Sequence, residues 1–96
     1  MDMNKYLVIR VEGDNDEPGK TVLSPLPLQD FLEQLKRDEI NSIRKREGLE
    51  PIQDWSTWTE EDDDEMFMGM FHFYREDDCH QVNFSEDVGY DVYVLK

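Results

Sequence analysis

Hydrophobic and polar positions alternate over Tyr6-Leu7-Val8-Ile9-Arg10-Val11, with Leu7, Ile9 and Val11 on one side and Tyr6, Val8 and Arg10 on the other. Alternation among β-branched and aromatic residues marks a strand, here one buried well on a single side. Turn formers crowd the next stretch, Gly13-Asp14-Asn15-Asp16-Glu17-Pro18-Gly19, and the short extended segment Thr21-Val22-Leu23 follows. That order predicts a hairpin whose long loop leaves the register open. The period then changes. Pro25 and Pro27 bracket the entry to a helix, and Leu28, Phe31, Leu32 and Leu35 recur at helical spacing. Continued unbroken, that helix would carry Glu39 in the middle of its apolar face, whereas a restart at Asp38 as N-cap places Ile40 and Ile43 on a fresh face. The sequence therefore predicts a kink or break near 37–39. Gly48 suits the left-handed position after a helix, with Leu49 folding back on Ile43, so the helical region should stop at about 47.

The stretch from Glu50 to Trp58 has no period, but Ile52, Trp55 and Trp58 predict a loop packed onto the domain. Thr59-Glu60-Glu61-Asp62 matches a capping box and predicts a short helix from 60, its first carboxylates at the positive end of the dipole. Met66 to Tyr74 is the richest apolar run and should become a strand no later than Met70, with Phe71 and Phe73 on one face and His72 and Tyr74 on the other, covered on both sides as a central strand is. Gln81 to Phe84 and Tyr90 to Leu95 supply two further strands, separated by Glu76–His80 and Ser85–Gly89, and complete an antiparallel meander. The expected fold is a single α+β domain over residues 1–96, a small antiparallel sheet of about four to five strands with one kinked helix or two short helices packed on one face.

Composition changes the picture at one point, the charge. Of the 96 residues, 24 are acidic and 10 basic, giving −14. Residues 1–46 are near-neutral, with nine acids and eight bases, whereas residues 47–96 hold fifteen acids against Arg75 and Lys96 alone. Almost the whole negative field belongs to the second half. Direct binding to DNA, RNA or an anionic membrane is thereby disfavoured, since phosphates are held by Lys and Arg. No apolar run reaches the roughly 20 residues of a membrane span. The first residues carry no basic start followed by a long apolar stretch, and the single Cys79 fits a reducing compartment, so a cytoplasmic protein is expected.

Motifs that would carry chemistry are incomplete. Asp14-Asn15-Asp16-Glu17-Pro18-Gly19 opens like a calcium loop, but its twelfth position is Pro25 in place of a bidentate Glu. Gly19-Lys20-Thr21 echoes the end of a phosphate loop, with Asp14 where the earlier Gly is needed. His72, Cys79 and His80, with Asp77 and Asp78, have no zinc spacing. The acids around Cys79 disfavour its thiolate. The expectation is a protein without catalytic residues, metal or cofactor.

What remains is a set of acids interleaved with aromatic and Met residues: Glu60, Glu61, Asp62, Asp63, Asp64 and Glu65, then Glu76, Asp77 and Asp78, then Glu86 and Asp87, with Trp55 and Trp58 as anchors. As a helix, 60–65 would space its carboxylates about 1.5 Å apart along the axis, and as a strand about 3.3 Å. The first is close to the roughly 1.7 Å per charge of duplex DNA and the second to the roughly 3.4 Å of one strand, a match that any acidic run would share. Such a face suits the Arg/Lys-lined groove of a nucleic-acid-binding protein or nuclease. A net charge of magnitude about 2–8 would suffice for solubility. The expected function is an acidic binding or inhibitor protein of the nucleic-acid-mimic type, with a basic protein as partner. In size and charge the chain resembles, in general terms, small inhibitors encoded by phages and mobile elements and immunity proteins against nucleases. The alternatives are an accessory or assembly protein whose acids are merely solvated, with dimerisation through a strand edge left open, and, third, a small metal-binding protein.

Overall fold

The first strand, β1 (Asn4–Glu12), settles which of its alternating faces is the inner one. Tyr6 and Val8 are buried, and Tyr6 stacks on Phe31 at 4.2 Å between ring centroids. Leu7, Ile9 and Val11 are half-buried on the opposite side. The structure, a computed structural model, describes residues 3–95 as an α+β fold: an open six-stranded antiparallel sheet with its helices on one face. The predicted hairpin is present. β1 turns at Gly13-Asp14 into the two-residue β2 (Asn15–Asp16), breaks at Glu17-Pro18-Gly19, and pairs again with β3 (Lys20–Ser24). A proline cannot donate to the ladder, so the edge is interrupted there. Gly19 lies against the outer face of β1, where an added Cβ would come within 2.9 Å of Leu7 Cδ1.

On its other side β1 pairs with β6 (Val88–Leu95), β6 with β5 (Cys79–Asn83), and β5 with β4 (His72–Glu76). The predicted meander is thus present, but three expectations within it are corrected. β4 begins at His72 rather than by Met70, because Met68 and Gly69 at φ +53° and +73° first turn the chain out of the preceding helix. It is an exposed edge strand rather than a central one, since β1 and β6 pair with each other and take the middle of the sheet. Cys79 and His80, expected in a turn, belong to β5; the turn is only Asp77-Asp78, with Asp77 at φ +53°, a conformation Asp tolerates better than most residues.

The kink is also overturned. Helix α1 (Leu28–Arg46) runs unbroken for 19 residues with Glu39 buried on its inner face. Arg10 of β1 answers that charge, its guanidinium nitrogens donating to Glu39 Oε1 and Oε2 at 2.8 and 3.4 Å and to the Tyr90 hydroxyl at 3.1 Å. A carboxylate that would break an apolar stripe is tolerated when a cation from the facing strand completes it. The helix ends as its sequence foretold: Gly48 has φ +76°, and the amides of Gly48 and Leu49 donate to the carbonyls of Lys45 and Arg44, the paired bonds of a Schellman motif.

A loop returns from Leu49, pinned where the Ile52 amide donates to Asn41 Oδ1 at 2.8 Å. A 3₁₀ turn (Trp55–Thr57) and the short helix α2 (Glu60–Met66) complete the helical layer. The capping box forms: Thr59 Oγ1 accepts from the Asp62 amide at 3.3 Å, and Asp62 Oδ2 accepts from the Thr59 amide at 2.8 Å. Phe67 closes α2 onto Phe84, with Phe71 stacked on Phe84 in turn, while Ile40, Val82 and Val92 fill the centre. No helix among the described residues is long and apolar enough to cross a membrane.

Candidate functional site

Consecutive residues point around a helix, so the acidic run of α2 cannot act as one face. Glu60, Glu61, Asp64 and Glu65 are exposed. Asp62 is occupied by the capping box. Asp63 turns inward, where its carboxylate accepts from Lys36 Nζ at 3.0 Å and from the Trp58 indole N–H at 2.7 Å. Lys36 is itself buried on α1, held also by Glu33 at 2.6 Å and seated over the Phe71 ring. Asp63 and Lys36 therefore bolt α2 to α1. Trp55 and Trp58 pack edge to face at 5.7 Å, Arg37 lies over Trp55, and both indoles are half-buried. They line a cavity of about 260 Å³ between α1 and α2 together with Lys36, Arg37 and Asp63.

The other predicted acids lie elsewhere. Glu76 ends β4, Asp77 and Asp78 form the β4–β5 turn, and Glu86 and Asp87 lie in the β5–β6 loop at the opposite end of β5; all five are exposed. Between them, the open face of the sheet carries Cys79, Gln81 and Asn83 from β5 opposite Tyr93, Asp91 and Gly89 from β6. A depression of about 430 Å³ is lined by Glu76, Asp77, Asp78, Cys79, Gln81, Asp91 and Tyr93. It adjoins a second, of about 170 Å³, which shares Gln81 and Asp91 and continues to Glu86 and Asp87. The two make one groove along the β5–β6 pair, with six carboxylates and, among the described residues, no Lys, Arg or His in its walls.

Asp91, at the middle of the groove, carries no local sequence signal: it is a lone acid in a strand, and only the cross-strand register brings it to the five others. Partial burial and then the charge of Asp16 raise its pKa above the usual carboxylate value, against a smaller lowering by Cys79. Tyr93 is likewise pushed up, first by Cys79 beside it and also by burial and Asp91. The acids of the β1–β2 turn join this end of the molecule, because the Gly13 amide donates to the Asp87 carbonyl at 2.7 Å and sets Glu12 and Asp14 beside the 86–87 loop.

The sulfur and imidazole groups do not converge. Cys79 and His80 are neighbours on β5 and face opposite sides of the sheet. His72 is turned to its own surroundings, with Nδ1 3.1 Å from the Met70 carbonyl and Nε2 3.2 Å from Asn83 Nδ2. Among the described residues, no three His, Cys, Asp or Glu side chains are grouped to hold a metal ion. Compared with protein families, curated proteins and solved structures, the chain matches none.

Proposed function

We propose that the chain is a small non-catalytic binding protein of the inhibitor type, acting in the cytosol, whose acidic groove occupies the basic surface of a nucleic-acid-binding protein or nuclease. The observation that carries this reading is the groove with six carboxylates and, among the described residues, no cation in its walls. A five-residue strand spans about 17 Å, so six acids, three at one end, Asp91 at the middle and two at the other end, average one charge per roughly 3 Å, near the 3.4 Å per charge of a single nucleic-acid strand. Tyr93 gives the groove a half-buried aromatic ring of the kind that anchors an interface. The exposed acids of α2 lie in the helical layer and add to the long-range field that would steer a basic partner.

Affinity capture from lysate at low and moderate salt, with single-stranded or duplex nucleic acid as competitor, tests the reading. The control is a variant with Glu76→Gln, Asp78→Asn, Glu86→Gln and Asp91→Asn, which leaves the ion pairs of the core in place. The expected result is a basic nucleic-acid-binding protein retained by the native chain, released by salt and by competitor, and not retained by the variant. A partner held equally by both proteins, and indifferent to competitor, would refute it.

A further inference from the structure

The sheet has two edges, and they differ. One is interrupted by Glu17-Pro18-Gly19 between β2 and β3. The other is β4, unbroken, exposed at all five residues, and carrying two exposed aromatic side chains, Phe73 and Tyr74. In a two-residue hairpin the residues flanking the turn exchange hydrogen bonds, which places the backbone groups of Glu76, Tyr74 and His72 inward, toward β5. The amides and carbonyls of Phe73 and Arg75 therefore point away from the sheet, with no strand among the described residues to meet them. Such an edge is a template for another strand.

We propose that β4 pairs with β4 of a second copy of this chain, antiparallel and centred on Tyr74. The choice of occupant and of register follows from charge and from the ladder. Centring on Arg75 would set Arg75 against its own twin, and like charges directly opposite are destabilising. Centring on Tyr74 instead sets Phe73 against Arg75 of the second copy, a cation on an aromatic ring, and His72 against Glu76. Tyr74 meets Tyr74. The outward groups of Phe73 and Arg75 then satisfy one another in both directions, which uses every free backbone group within the central three residues.

The acidic turns do not forbid this. Asp77 and Asp78 lie three and four positions from the two-fold axis, at about 3.3 Å per residue, and so are about 20 and about 26 Å from their twins, beyond the roughly 8 Å Debye length of physiological salt. Two chains of charge −14 still repel overall, so the pairing strengthens as salt rises. An interface of one short strand is small, and the dimer is accordingly weak and concentration-dependent. Its axis stands normal to the sheet, so both acidic grooves face the same way.

Sedimentation of the full chain from micromolar to millimolar concentration, at low and high salt, reads the association. The register is read by single cysteines placed in a Cys79→Ser background. Across the axis, Tyr74 and its twin form a non-hydrogen-bonded pair with Cα atoms about 4.5 Å apart, within disulfide reach, whereas Phe73 and its twin stand diagonally at about 7–8 Å. Mild oxidation is expected to link Tyr74→Cys at least tenfold faster than Phe73→Cys, and Arg75→Glu is expected to weaken association at least tenfold with the circular dichroism unchanged. A chain that stays monomeric throughout, or one that links equally at 73 and 74, would overturn the proposal. Salt separates it from the groove reading, since binding of a basic partner weakens with salt while this dimer tightens, and a groove variant that leaves β4 untouched, Asp78→Asn with Glu86→Gln and Asp91→Asn, should associate at least as well as the native chain.

Discussion

In the first half of the chain Glu12, Glu33 and Glu39 each have a cation within ion-pair distance, supplied by Arg10, Lys36 and Arg37 of the same half. In the second half, among the described residues, Asp63 is the one carboxylate so paired, and it takes Lys36 from the first. The contrast separates two uses of charge in one small domain. Inner charges are paired and lock elements together: Glu39 with Arg10 joins α1 to β1, and Asp63 with Lys36 joins α2 to α1. The outer charges of the second half are left unmatched among the described residues, six along the open face of the sheet and four more on the exposed side of α2. A field of this size destabilises a compact state by self-repulsion, so the unmatched acids are costly to the fold rather than part of what holds it.

Breaking a matched inner pair should have the largest effect. Asp63→Ala leaves a buried ammonium with Glu33 alone and the Trp58 indole without its acceptor, and the expected loss is about 3 kcal/mol in urea unfolding. Replacing both partners, Lys36→Met with Asp63→Leu, should cost less than the single change, because no charge is then left stranded. Glu39→Gln is expected to cost about 2 kcal/mol, somewhat less because Arg10 retains the Tyr90 hydroxyl and some solvent.

How much of this could be read from the chain differs between the two kinds of charge. The α1 stripe, the Gly48 stop, the capping box and the strand segments were legible because each rests on neighbours in sequence. The break at 37–39 was a sound inference from Glu39 alone and failed because its partner, Arg10, lies 29 residues away. The place of β4 at the edge depends on β6 returning to β1, which no local pattern encodes. The acidic run of α2 drew notice by being contiguous, yet contiguity in a helix scatters side chains. The groove joins acids from two turns and a strand, and its central member, Asp91, was invisible in the sequence.

A smaller effect sharpens the outer side of the comparison. The raised pKa of Asp91 means that the native state holds its proton to higher pH than the unfolded chain does. Its contribution to stability is fully present below the ordinary aspartate pKa and is lost as pH rises through the raised native value. Asp91→Asn should therefore match the native chain in acid and exceed it at neutral pH, with a melting temperature higher by about 1–3 °C.

The most direct test of the central claim is urea unfolding of an Asp64→Asn, Glu65→Gln, Glu86→Gln variant beside the native chain, at low and at high salt. These acids lie outside the capping box and the inner pairs, and Asp64 and Glu65 sit in the last turn of α2, where the helix dipole disfavours negative charge. The expected result is a variant more stable by about 1 kcal/mol at low salt, with the difference shrinking as salt screens the repulsion. A variant less stable than the native chain at both salt concentrations would mean that the outer acids do hold the fold, and would contradict the division of charge described above.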